Sequence, residues 1–175
     1  KKILLWGHHS VIAIILIYCM GFFALLRSMK VDKWLSIVGA LAIAFSSYFF
    51  IIIAAGHIWK VMTLAYIPPT IAGLVLCYRG KLLTGGAVTA LFAAMQIRAN
   101  HVQMSYYFLF CMLFIAIAYL VEAVKQKQLV RFAKATGVLA VAGAIAVGIN
   151  ISSLYLILDI SSNNAILLTD ISKLC

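Results

Sequence analysis

The side chains best suited to chemistry lie in one polar stretch between two long apolar runs. It contains a cation, two amides, an imidazole and an aromatic ring within nine residues: Arg98, Asn100, Gln103, His101 and Tyr106. A guanidinium can pair with two phosphate oxygens at once, and amides offer donors and acceptors to sugar hydroxyls. The ring of Tyr106 suits either a sugar or isoprenoid face, or an anchor at a membrane interface. This stretch predicts a binding site for a ligand with phosphate or sugar groups.

The composition identifies the elements that must position these side chains. The chain has 175 residues, of which 66% are hydrophobic and only 10% charged, whereas soluble domains carry about 25% charged residues. Fourteen Lys and Arg face four Asp and Glu, for a net charge of +10. The basic residues cluster at the ends of apolar runs, where they meet anionic lipid head groups. We therefore expect a membrane protein with membrane lipids as partners, and no binding of nucleic acid.

Apolar runs long enough to cross a bilayer, which takes roughly 20 residues, divide the chain. We identify six, at residues 11–26, 34–55, 61–78, 82–97, 104–124 and 136–156. The fold class is accordingly all-α, a polytopic transmembrane helix bundle of about six spans. Residues 1–156 form one transmembrane helical region, and residues 157–175 form an irregular C-terminal tail.

Two features inside the spans predict how the helices pack. Pro68 and Pro69 remove backbone donors and should kink or interrupt the third span. The fourth span carries the small residues Gly85, Gly86 and Ala94, which let helices approach closely in lipid.

The distribution of basic residues between alternate loops predicts the orientation. Nine lie on one side: Arg27, Lys30, Lys33, Arg79, Lys81, Lys125, Lys127, Arg131 and Lys134. Five lie on the other: Lys1, Lys2, Lys60, Arg98 and Lys173. Because the more basic side normally faces the cytoplasm, we expect the N-terminus and both polar loops, around His57 and Arg98, to lie outside. Asp32 and Glu122 are expected on the cytoplasmic side.

The other polar loop that we expect outside contributes His57 and Lys60. Lys60 and Arg98 together suit a phosphate or pyrophosphate, and the alternative is that both snorkel to the interface. His57 and His101 could share a metal, but such a site normally needs three protein ligands, and no carboxylate precedes the tail on this side. Interfacial histidines are the alternative. No cofactor is evident, and a divalent metal is left open.

Several short motifs resemble one family. They are Gly56-His57, Ala65-Tyr66-Ile67-Pro68, Tyr78-Arg79-Gly80-Lys81, and the spaced set Asn100, His101, Gln103, Tyr106 and Tyr107. Over about residues 20–151 the chain resembles the large YfhO-type bacterial membrane proteins, which are similar to the GT-C glycosyltransferases. That resemblance implies an enzyme of the bacterial cytoplasmic membrane that transfers a sugar from a polyprenyl-phosphate donor at the outer face.

The resemblance also implies roles for individual residues. Arg98 and Lys60 would contact the donor phosphate, His57 and His101 would orient it, and the remaining polar side chains would meet sugar hydroxyls or the carrier: Asn100, Gln103 and Tyr106. The family's catalytic carboxylate lies in a first outer loop that we expect to precede this chain. We therefore expect a fragment, through truncation or a frameshift, that is inactive without the missing helices of the full-length protein.

Two other functions are compatible with the sequence. One is a transporter or flippase of an amphipathic anion, with the break at Pro68 and Pro69 marking a discontinuous helix near a midplane site. The other is a non-enzymatic membrane scaffold, in which the polar loops are only connections.

Overall fold

The computed structural model describes the backbone of residues 2–99, 102–152 and 155, and the side chains of 11–99, 103–152 and 155. Every element in these ranges is a helix. In chain order they are α1 (Lys2–Ser28), α2 (Lys33–Ala44), α3 (Ser47–Ala54), α4 (Ile58–Tyr78), α5 (Leu82–Arg98), α6 (Val102–Lys125) and α7 (Leu129–Ile149).

The helix lengths confirm a helical bundle of about six spans. Five segments of the described chain are long and apolar enough to cross a membrane, with α2 and α3 together forming one of them, Lys33–Ala54. The remaining predicted span corresponds to α5, an apolar helix of 17 residues that is shorter than these five segments. The last span begins at Leu129, earlier than expected, because the polar residues that follow still continue the helix.

The second span is divided at residues 45–46. Ser46 has extended dihedrals, with φ −65° and ψ 141°, and precedes the first residue of α3. The amides of Phe45 and Ser46 still donate to the carbonyls of Leu41 and Ile43, at 2.9 and 3.2 Å. Serine favours such boundaries because its hydroxyl competes with helical backbone bonds. The interruption therefore leaves these backbone donors paired.

The proline pair does not interrupt the third span, since α4 is continuous through Pro68 and Pro69. Just after them, the hydroxyl of Thr70 donates to the carbonyl of Tyr66 at 2.7 Å. Pro69 also packs against α1, where a Cβ on Gly21 would lie 2.5 Å from the proline Cδ. Neighbouring helices and hydroxyl side chains commonly make prolines tolerable in membrane helices.

Helix α4 is the centre of the bundle and packs most extensively against α5 and α1. Its contact with α5 is made backbone to backbone: a Cβ on Gly85 would lie 2.6 Å from the carbonyl oxygen of Gly73. At the next residue, a Cβ on Gly86 would lie 2.7 Å from Cγ1 of Val138 on α7. Ala94, farther along α5, is buried. These contacts confirm the close approach predicted from the small residues of this span.

The bundle has two chemically different ends. The end where α4 and α6 begin, and where α5 and α7 end, is named the polar end. The basic end contains the turns from α1 to α2, from α4 to α5 and from α6 to α7. Near the basic end Tyr78 stacks on Phe132 of α7 and Tyr119 of α6, with ring centroids 5.2 and 4.7 Å apart, which joins three helices there.

Candidate functional site

The polar end collects most of the predicted site residues from three different helices. His57 precedes α4 and Lys60 lies in its first turn, Arg98 ends α5, and Gln103 and Tyr106 lie in the first turns of α6. Lys60 is partly buried and the other four are exposed. Asn100 and His101 fall outside the described residues. Antiparallel packing of successive helices thus brings the two predicted polar segments to one end of the bundle.

The turn before α4 presents His57 without using its imidazole. Gly56 has φ +76°, a left-handed conformation that glycine adopts without a steric penalty. The amide of His57 then donates to the carbonyl of Ile52 at 3.2 Å, and its carbonyl accepts from Val61 at 3.1 Å. Its side chain makes no capping hydrogen bond. The ring is therefore exposed and open to an external partner.

Arg98 occupies the last turn of α5, where a cation is stabilised by the negative end of the helix dipole. Both carboxylates of the described chain, Asp32 and Glu122, lie at the basic end instead. The described part of the polar end therefore combines cations with neutral polar groups. This arrangement suits an anion such as phosphate.

Gln96 is the buried polar group of this end. It is only 3% exposed, and neither its Nε2 nor its Oε1 has a hydrogen-bond partner among the described residues. Leaving a buried amide unpaired costs about 1–3 kcal/mol. Gln96 lies two residues before Arg98 on α5, so the two side chains leave different faces of the helix, and the Gln96 amide is buried while Arg98 is exposed.

Asn150 is a residue of this end that the sequence analysis did not select. Its Nδ2 donates to the carbonyl of Ala94 on α5 at 3.0 Å and to that of Ala146 at 2.9 Å. The side chain is 3% exposed. A signal was present, since Asn150 is an amide that ends an otherwise apolar run, and such residues often connect membrane helices.

The aromatic residues at the start of α6 face away from the bundle. Tyr106 is 56% exposed and meets Phe110 edge to face, with centroids 4.9 Å apart. Tyr107 is exposed beside it. This geometry fits both predicted roles of Tyr106, a membrane-interface anchor and a face for an isoprenoid chain.

A metal centre finds no support in the described residues. They contain no group of three or more His, Cys, Asp or Glu side chains that could hold an ion. His57 stands exposed at the polar end, and the second predicted histidine lies outside the described ranges.

The basic end contains a second group of polar residues, which the sequence analysis used only to predict orientation. Three arginines border one cavity of about 530 Å³. They are Arg27 in the last turn of α1, Arg79 directly after α4 and Arg131 in the first turn of α7. A sequence signal was present in the excess of cations over carboxylates in these turns. That excess did not show that the three arginines converge on one cavity.

Comparison with known proteins adds no relative. No protein-family model matches the chain, and searches of curated proteins and of solved structures found no similar protein.

Proposed function

We propose that this chain is part of a GT-C-type membrane glycosyltransferase and that its polar end binds a polyprenyl-phosphate-linked sugar. The observation that carries the proposal is the meeting of three helix ends there, with the exposed cation Arg98 and the exposed amide Gln103. The resemblance to YfhO-type proteins supports the same assignment. A bacterial cytoplasmic membrane location, with the N-terminus outside, belongs to this proposal.

The chemistry of the donor divides among these side chains. Its phosphate needs cations, which Arg98 and Lys60 supply. Its sugar needs hydrogen-bonding groups, which Gln103 supplies in the described part of the chain. Its isoprenoid chain needs an apolar surface open to lipid, and α6 offers one that begins at Tyr106. His57 orients the bound phosphate.

Asn100 and His101 enter the proposal through the sequence alone, from their residue types and from the resemblance. They would complete the contacts to the sugar and to the phosphate, respectively. Glycosyl transfer also needs a general base to activate the acceptor, commonly a carboxylate. Because Asp32 and Glu122 lie at the other end of the bundle, the proposal assigns donor binding to this chain and leaves the base to a residue outside the described set.

A binding experiment tests the assignment. The chain is placed in nanodiscs of neutral lipid, and the affinity for a labelled polyprenyl-phosphate hexose is measured. Arg98→Ala should weaken binding by about tenfold or more, because a charge-assisted hydrogen bond is lost. Lys125→Ala, which removes an exposed cation at the basic end, should leave the affinity unchanged. Equal affinities for the chain and its Arg98→Ala variant would remove the proposed role.

Transport of an amphipathic anion is the alternative function. The discontinuity expected at Pro68 and Pro69 does not occur in α4, but one exists at residues 45–46. No charged residue lies in the sequence between Lys33 and Lys60, whereas transport pathways normally contain intramembrane charges. Uptake of the donor by proteoliposomes would favour this alternative over a binding role in transfer.

A further inference from the structure

A cavity of about 530 Å³ opens at the basic end between the ends of α1, α4 and α6 and the start of α7. Five cations and one carboxylate line it, namely Arg27, Lys30, Arg79, Lys81, Arg131 and Glu122. None of these residues belongs to the polar end. The chemistry of this cavity is therefore independent of the proposed donor site.

Within the described ranges, the hydrogen-bond acceptors of the three guanidinium groups are backbone carbonyls and not carboxylates. Arg79 donates through Nη1 to the carbonyl of Ser28, and Arg131 donates through Nη2 to the carbonyl of Arg79 at 2.5 Å. Arg27 donates to the carbonyl of Val31 at 2.7 Å. A guanidinium has five N–H donors, so each of these contacts orients the group and leaves further donors for an anion.

Gly80 makes room for this arrangement. Its φ is +95°, and a Cβ at this position would lie 2.7 Å from Nη2 of Arg131. The turn between α4 and α5 thus needs a glycine for two reasons, its backbone conformation and the approach of the guanidinium. The position of Arg131 is consequently determined by the packed backbone of a neighbouring turn and not by its own helix alone.

The one carboxylate among the described lining residues is hydrogen-bonded to another residue that lines the cavity. Oε1 of Glu122 accepts a hydrogen bond from Nε2 of Gln126 at 3.0 Å. This is the hydrogen bond that the Glu122 side chain makes among the described residues. Both residues are exposed. The cavity therefore has an excess of positive charge with partly oriented donors, beside the stacked rings of Tyr78 and Phe132.

We infer that this cavity is a phosphate-binding site, which takes the phosphate of a lipid head group or of a soluble phosphate compound. Arginine is the residue best suited to such a ligand because its planar fork matches two phosphate oxygens. Basic pockets between membrane helices are known to bind anionic head groups. A bound phosphate would also reduce the repulsion between the guanidinium groups that converge here.

Two binding measurements distinguish the sources of the phosphate. In nanodiscs of phosphatidylcholine, titration with inorganic phosphate alone tests a soluble ligand. In detergent, retention of phosphatidylglycerol by the chain in native mass spectrometry, with and without excess inorganic phosphate, tests a lipid head group. Saturable binding in either arm that Arg98→Ala at the polar end leaves unchanged supports the site and identifies its source. Saturable binding in neither arm overturns it.

Matched variants show whether binding depends on the oriented guanidiniums. Arg131→Gln should weaken the observed binding by about tenfold or more, and Arg131→Lys should restore only part of it, because the fork is lost while the charge remains. Lys125→Gln removes the same charge from the same end outside the cavity, and should have no effect. An equal loss in Lys125→Gln would show general charge attraction and would contradict the site.

A second variant covers the case in which Arg131→Gln does not fold, as judged by helical circular dichroism and size-exclusion chromatography. Arg27→Gln removes an exposed guanidinium that lines the same cavity from a different helix, α1, and should cause a similar loss of binding. Full binding by folded Arg27→Gln protein would overturn the proposal in that case.

Discussion

The side-chain Nδ2 of Asn150 donates a hydrogen bond to the backbone carbonyl of Ala94 at 3.0 Å, joining the end of α7 to α5. Both residues are buried. Ala94 lies one turn before Arg98 and directly precedes the turn that carries Gln96. The contact therefore determines where the last turn of α5, with its candidate ligand-binding residues, lies relative to α7.

Replacing this amide should loosen the polar end. Asn150→Ala removes the bonds to Ala94 and Ala146, and we expect the free energy of unfolding to fall by about 0.5–2 kcal/mol, the range of hydrogen bonds between membrane helices. Denaturant titration in detergent micelles measures it. Ser152→Ala changes an exposed polar residue nearby and should have little effect. A stability of Asn150→Ala equal to that of Ser152→Ala would contradict the prediction.

The contact between α4 and α5 should tolerate no added methyl group. Gly85→Ala would place a Cβ 2.6 Å from the Gly73 carbonyl oxygen and the Cys77 nitrogen, so the helices must separate. We expect a loss of about 1–3 kcal/mol, typical of overpacking. Gly137→Ala on α7 has nothing within 4 Å of its new Cβ and should be neutral or stabilising by up to about 1 kcal/mol. Thermal unfolding of both variants provides the comparison.

The buried amide of Gln96, which has no hydrogen-bond partner among the described residues, predicts that its replacement changes stability. Gln96→Leu removes a buried polar group without a described partner, so the ligand-free chain should gain about 1–3 kcal/mol of stability. Gln103→Leu alters an exposed amide and should change stability by less than about 0.5 kcal/mol. A destabilised Gln96→Leu variant would show that the amide already has a structural partner.

Alanine variants of two glycines distinguish the effect of backbone strain from the effect of displacing Arg131. Gly56 and Gly80 both have positive φ, but a Cβ meets nothing within 4 Å at Gly56 and meets Arg131 at Gly80. Each change to alanine should lower stability by about 1–2 kcal/mol through the left-handed backbone. Only Gly80→Ala should also weaken phosphate binding at the basic end, as measured by the same titration. A similar affinity in both variants would mean that the position of Arg131 does not matter.

The distribution of basic residues predicts the orientation of the bundle. In a background without native cysteines, His57→Cys should react with a membrane-impermeant maleimide in intact cells. Lys127→Cys should react only after the cells are permeabilised, because we expect the more basic loops to face the cytoplasm. Both positions are exposed, so access to the reagent depends on the side of the membrane. The reverse labelling pattern would invert the topology and place the basic cavity outside.

The candidate site could be anticipated in part. The types of residue in the two polar segments indicated a phosphate or sugar ligand, and the count of apolar runs placed both segments at one end of a bundle. The sequence did not show that Gln96 is buried while Arg98 is exposed. The reason is that helices in lipid are apolar on the faces toward lipid as well as toward protein, so no periodic pattern identifies the buried face.

What the sequence by itself determined is the helical architecture. Long apolar runs must form helices, because a bilayer offers no other partners for backbone groups, and the small residues of α5 indicated close packing. Only the tertiary structure decided which distant residues meet. Arg131 lies 52 residues from the carbonyl of Arg79, and Asn150 lies 56 residues from that of Ala94. Such contacts depend on how helices of similar apolarity are rotated and paired, which is set by the packing of small and large side chains across several helices at once.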